Sequence, residues 1–113
     1  MDGDKPLILV VDDETHIVHV LSLKLTNAGY EVITAHDGEE GLALALKHQP
    51  SLLITDQWMP YKTGVELCQE LKDHNPSLMI PALILTGRHV TISKEEMQQA
   101  HIVGIITKPF SPR

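Results

Sequence analysis

The chain has 113 residues, 42% apolar and 21% charged, enough for one compact core and too few for two comfortable domains, so a single domain over residues 1–113 is expected. A formal net charge of −6 argues against gripping nucleic acid or an anionic membrane directly, because both need clustered Lys and Arg. One cysteine, Cys68, excludes an intrachain disulfide and fits a reducing, cytoplasmic setting, while the polar start of the chain and the absence of any run of transmembrane length give no sign of a leader or membrane span.

Aromatic residues make up only 4% of the chain, so the core must be aliphatic, which suits a buried parallel sheet under helices. Leu7, Ile8, Leu9, Val10 and Val11, bounded by Pro6 and Asp12, read as a strand buried on both faces. Ile17, Leu21 and Leu25 then recur at helical spacing, Val18 widens the stripe, and Gly29 follows as a left-handed terminator. Residues 32–35 are shorter and less apolar, as an edge strand should be. Asp37 and Glu40 form a capping-box pattern ahead of Leu42, Ala43, Ala45 and Leu46, with Pro50 closing that helix.

Residues 52–55 run as a third strand into Asp56, and Thr63 with Glu66 repeats the capping-box pattern before Val65, Leu67, Cys68 and Leu71. Residues 81–85 lead to Thr86. Ser93 and Glu96 cap a short, polar helix, the weakest of the set, and residues 102–107 make the fifth strand before Lys108 and Pro109. Ser111 and Pro112 read as the N-cap and first position of another helix, so the final helix is expected to be truncated.

Five strands alternating with four helices imply parallel strands, right-handed crossovers and a doubly wound α/β sheet. With the last helix missing, the first helix alone would cover one face, leaving an apolar strip that includes Val10, Ile105 and Phe110, either bare or covered by self-association with a neighbouring chain. Loops leaving the carboxyl ends of such strands form the binding crevice. Asp12, Asp13, Asp56, Thr86 and Lys108 all stand at those ends, just past apolar runs.

Three carboxylates in one crevice raise each other's proton affinity, and a divalent cation removes the penalty of ionising them together. An all-oxygen donor set fits Mg²⁺ or Mn²⁺ and disfavours zinc. Asp56 is placed to act as a carboxylate nucleophile toward phosphorus, with Lys108 neutralising charge and Thr86 available to hydrogen-bond the new group. His16 and His19, three apart on the first helix, have no soft ligand nearby and read as a solvated face. The residues describe a phosphoryl-accepting switch.

VVDDE at 10–14, DQWMPYKTG at 56–64, LTG at 85–87 and TKPF at 107–110 resemble the receiver domain of two-component response regulators, over essentially the whole chain. The resemblance implies a flavodoxin-like five-stranded sheet of order 2-1-3-4-5. It implies that Asp56 is the phosphoacceptor, served by a phosphohistidine on a histidine kinase or phosphotransfer protein. Asp13, Asp56 and the backbone carbonyl of Trp58 would bind Mg²⁺ directly, Asp12 through water, with Thr86 as switch hydroxyl, Lys108 as phosphate partner, and a cis Lys108–Pro109 bond.

In that family an aromatic residue usually sits three before the lysine, where this chain has Ile105, and the fourth helix commonly ends in the glycine that His101 replaces; Thr63 replaces a common acidic residue. Trp58 and Arg88 stand where bulk would slow loss of the phosphoryl group. The resemblance implies a signalling domain that assists only its own phosphorylation and dephosphorylation; Met1 just before the first strand and the helix start at Ser111 and Pro112 lead us to expect the N-terminal part of a longer protein. The haloacid-dehalogenase type of phosphatase fits poorly, since it needs a nucleophile on the first strand with a second Asp two residues later, and Asp12 and Asp13 are adjacent. A module keeping the fold but using no phosphate is the remaining alternative.

Overall fold

The computed structural model describes residues 5–87 and 90–108. Strands and helices alternate as β1 (Leu7–Val11), α1 (Thr15–Asn27), β2 (Glu31–Ala35), α2 (Gly38–His48), β3 (Leu52–Asp56), α3 (Gly64–His74), β4 (Ala82–Thr86), α4 (Lys94–Gln99) and β5 (Ile102–Thr107). All pairings are parallel and the sheet order is β2-β1-β3-β4-β5. The chain steps outward from β1 to β2, crosses back through α2 to β3, and then continues the other way. Strand order thus reverses between β1 and β3, the place where open α/β sheets hold ligands.

Local chemistry sets most boundaries. At the end of α1, Gly29 takes φ +101°, the Tyr30 N–H reaches the Leu25 carbonyl at 3.1 Å, and the Gly29 N–H reaches Thr26 at 3.0 Å. This is a Schellman closure, which a residue with a Cβ would strain. Thr63 and Ser93 each close a reciprocal box with Glu66 and Glu96. The box expected at Asp37 forms only by half: its side chain accepts from the Glu40 N–H at 2.8 Å, but Glu40 Oε1 turns to the His36 N–H, also at 2.8 Å. The Asp37 N–H is therefore not the donor that Glu40 satisfies.

Two aliphatic layers sandwich the sheet. Leu9, Val11, Leu53 and Ile84 pack with Leu67, Cys68 and Leu71 of α3 and Ala45 of α2. Ile8, Val10, Ile54 and Leu85 pack on the other face with Ile17, Leu21 and Leu25 of α1. Removing a side chain such as Leu53, wholly buried, would cost about 2–5 kcal/mol through lost burial and the cavity left behind.

The expected bare strip is redrawn. Val10 is fully buried, because α1 lies directly over it. Ile105 pairs with Ile84 and so lies on the α3 side, while Ile106 pairs with Leu85 and faces the α1 side. Between Ala82 and Leu83 the register slips: Ala82 pairs with Ile102 but Leu83 with Gly104. Val103 is the unpaired residue of a bulge and is 64% exposed. The remaining readings on Arg88, the Lys108–Pro109 bond, Phe110, Ser111 and Pro112 lie outside the described residues.

Candidate functional site

β1 delivers Asp12 and Asp13. The Asp12 N–H continues the pairing with β2 by donating to the Ala35 carbonyl at 3.1 Å, and its Oδ1 accepts from the Glu14 N–H at 2.9 Å. β3 ends in Asp56, 4% exposed. β4 ends in Thr86, also buried. The Lys108 N–H donates to the Thr86 carbonyl at 2.8 Å, extending the β4/β5 ladder by one step and fixing where the lysine side chain starts.

From there the ammonium reaches three carboxylates. Lys108 Nζ lies 3.0 Å from Asp12 Oδ2 and 3.3 Å from Asp56 Oδ1, and donates to Glu14 Oε1. One carboxylate oxygen from each of Asp12, Asp13 and Asp56 falls within 4.8 Å of the others. Asp13, Glu14, Asp56, Trp58, Thr86, Gly87 and Lys108 line an open crevice of about 350 Å³. All five residues read from the sequence as a site, together with Trp58, therefore meet at one end of the sheet.

Sequence reasoning gave no role to three residues that build this crevice. Glu14 was visible in the VVDDE run, yet its partner lies 94 positions away. Gln57 is buried; its carbonyl accepts from the Gly64 N–H at 3.0 Å and its Oε1 from the Val65 N–H at 3.1 Å, tying the start of α3 to the end of β3. A Cβ on Gly64 would stand 2.5 Å from the Asp56 carbonyl oxygen, so only glycine lets α3 begin there. The spacing Asp56 to Gly64 is in the sequence, but the close approach is not.

Burial dominates the electrostatics. It pushes the Asp56 carboxyl up to about 6, with the charge of Asp12 adding to the rise and Lys108 opposing it. Burial likewise raises Asp12, against the Glu14 N–H and Lys108. Glu14 is held below the usual carboxylate range, chiefly by its bond to Lys108. Burial alone would lower the Lys108 ammonium, but Glu14 and Asp12 outweigh it and the group is raised, so it stays charged at neutral pH.

The donor set fits a hard divalent cation. Asp12 Oδ2 is buried and makes no hydrogen bond; its approach to Lys108 is an ion-pair contact only. A buried carboxylate oxygen left in that state is costly, and clustered carboxylates with no nitrogen or sulfur donor among them suit Mg²⁺ or Mn²⁺.

Residues 8–113 match the sequence model of one family, the response regulator receiver domain. The chain belongs to that family. The alkaline phosphatase synthesis transcriptional regulatory protein PhoP of Bacillus subtilis (strain 168) is 42% identical over 94% of this chain and 43% of its own length. The probable transcriptional regulator ycf27 of Porphyra purpurea is 39% identical over the whole chain and 45% of its own length. The chain thus spans less than half the length of these relatives. Among solved structures, chemotaxis protein CheY4 of Vibrio cholerae aligns with a TM-score of 0.83 at 36% identity, covering 95% of this chain and 89% of that one. Response regulator protein TrrA of Thermotoga maritima, in complex with Mg(2+)-BeF, aligns at 0.81 and 30%, covering 93% and 88%.

The protein is a receiver domain of the two-component type, a phosphoacceptor fold, and receiver domains of response regulators are phosphorylated by histidine kinases. The expected sheet order is the observed one. Among the described residues no helix is long and apolar enough to cross a membrane.

Proposed function

We propose that Asp56 is the residue that accepts the phosphoryl group. The observation that carries this reading is Lys108 Nζ held within 3.3 Å of Asp56 Oδ1 and 3.0 Å of Asp12 Oδ2, beside an oxygen-only acidic cluster. An Asp56 carboxylate oxygen attacks phosphorus and forms the O–P bond of an acyl phosphate, while the P–N bond of a phosphohistidine breaks and its electron pair stays on the departing imidazole. Asp56 must be ionised to do this. With its carboxyl near 6, it is so at neutral pH even before a cation arrives.

Asp13, Asp56 and the Trp58 carbonyl are the direct Mg²⁺ ligands in this reading, with Asp12 acting through water. When bound, Mg²⁺ supplies positive charge to the phosphoryl oxygens. Lys108 pairs with the product phosphate, and Thr86, buried at the crevice wall, donates its hydroxyl to it, its movement carrying the signal to α4 and β5. Trp58, half exposed at the rim, slows access of hydrolytic water.

The domain acts in the cytoplasm as a signalling part of a longer regulator, not as an enzyme on other substrates. The relatives' greater length supports the second point. Its phosphate donor is a histidine kinase or phosphotransfer protein, and the exposed Ile105 and Ile106 support self-association through β5. The phosphate-independent module is disfavoured because a purely structural role would not bury Asp12 and Asp56 around one ammonium.

Incubation with Mg²⁺ and acetyl phosphate, read by intact mass, tests this. One added phosphoryl group, absent without Mg²⁺ and in Asp56→Asn, is expected. An adduct that persists in Asp56→Asn, or none in the unaltered chain, would overturn it.

A further inference from the structure

We propose that Glu14 is a positioning residue: in the resting domain its carboxylate occupies the donor of Lys108 that a phosphoryl group on Asp56 must take. The inference rests on the phosphoacceptor reading above and begins from a count. An ammonium has three N–H donors, and Lys108 Nζ has three carboxylates around it: it donates to Glu14 and stands in ion-pair contact with Asp12 and Asp56. A phosphoryl oxygen arriving on Asp56 adds a fourth partner, so one contact must be given up, and the aligned donor is the one spent on Glu14.

Burial decides which. Releasing Asp12 would leave a fully buried carboxylate without its cation, and Asp56 carries the incoming group itself. The Glu14 side chain is about half exposed, so water can take over its charge when Lys108 leaves. It is also the partner with which Lys108 makes a direct hydrogen bond.

The local helix chemistry points the same way. Glu14 is the N-cap of α1, yet its side chain makes no capping bond; only its carbonyl serves the helix, accepting from the Ile17 and Val18 N–H groups. Its own N–H is held by Asp12 Oδ1 at 2.9 Å, which anchors its backbone beside the site. The carboxylate is thereby free of helix duty and committed to a lysine 94 positions away. Removing it takes nothing from the cap.

The test is equilibrium binding of Mg²⁺ with beryllofluoride, an inert phosphoryl mimic, followed through the fluorescence of Trp58, the only tryptophan and a wall of the crevice. Glu14→Ala frees the Lys108 donor and is expected to tighten binding about two- to fivefold, the range of a half-exposed ion pair. Glu14→Asp keeps the charge but is one methylene too short to hold Lys108, and is expected to tighten binding nearly as much. Glu14→Ala with unchanged or weaker binding would overturn the proposal. So would Glu14→Asp at unaltered affinity beside a tighter Glu14→Ala, since the effect would then be one of charge and not of contact. Absence of any beryllofluoride response in the unaltered chain, together with no acetyl phosphate adduct, would instead remove the phosphoacceptor reading and this inference with it.

Discussion

At the carboxyl ends of β1 and β3, Asp12 and Asp56 are 0% and 4% exposed around one ammonium, whereas along β5, two strands from β3, Val103, Ile105 and Ile106 stand 64%, 38% and 41% exposed. In the first region polar groups are buried at a cost to folding. In the second, apolar groups are left in water at a smaller cost. Each departs from the ordinary rule of polar outside and apolar inside, and in the reading proposed above the fold yields stability there to ion chemistry in the crevice and to contact with another surface on β5. The two regions should therefore respond in opposite ways to substitution.

The largest of these effects is expected behind the crevice, where α3 begins against the end of β3. Gly64→Ala places a Cβ 2.5 Å from the Asp56 carbonyl oxygen and 3.1 Å from Thr55 Cγ2. The obstacle is backbone, which cannot swing aside, so α3 must shift away from β3 and break the bonds from Gln57 to Gly64 and Val65. A loss of about 3 kcal/mol in urea unfolding is expected, together with weaker Mg²⁺ binding. A variant as stable as the unaltered chain would mean that the start of α3 is not pinned as described.

The next effect is one of pH and has a definite sign. The Asp56 carboxyl lies near 6 in the folded domain against an ordinary value of 3.8. Between those values the folded state binds more protons than the unfolded one, so stability falls as pH rises through that window. Without divalent cation, lowering pH from about 7.5 to about 5 should stabilise the domain by about 1–2 kcal/mol, before other carboxylates reverse the trend. Asp56→Asn should flatten this slope, and saturating Mg²⁺ should do the same by favouring the ionised form. A stability that instead declines steadily from neutrality to pH 5 without Mg²⁺ would contradict the burial account.

How much of this contrast was written in the sequence differs between the regions. Apolar runs, Gly29 and the Thr63 and Ser93 boxes announced the strands and helices because each acts within a few residues. The crevice was legible because the fold guarantees that residues ending parallel strands share one edge, so Asp12, Asp13, Asp56, Thr86 and Lys108 could be gathered without knowing a single distance. Glu14 was not, since its partnership with Lys108 exists only through space. Nor was the bulge at Val103, which comes from a one-residue register slip against β4 and reverses which face Ile105 and Ile106 occupy. The half-formed box at Asp37 was missed because Glu40 had a competing donor at His36.

On the approach to β5 the direction should reverse. His101 holds φ +58°, a conformation that disfavours any residue with a Cβ, and its Nε2 is buried with no hydrogen-bond partner. His101→Gly removes both penalties while its carbonyl can still accept from the Ala82 N–H at 2.9 Å. A gain of about 0.5–1 kcal/mol is expected, seen as a higher urea midpoint at unchanged slope. A loss would mean that the imidazole packs more usefully than its unpaired nitrogen suggests.

The smallest effect on the monomer is expected one residue past the start of β5. Ile102 is 5% exposed within the core layer that includes Ala82 and Ala100. Val103, its immediate neighbour, has no partner on β4 because the register slips there, and its side chain points into water. Val103→Ser should change unfolding stability by less than about 0.5 kcal/mol. Association is where it should act: if β5 meets a second copy, sedimentation equilibrium should show a weaker dimer for Val103→Ser at unaltered monomer stability. Equal sedimentation of the two chains across the concentration range would leave the exposed β5 side chains as singly scattered apolar residues that need no partner.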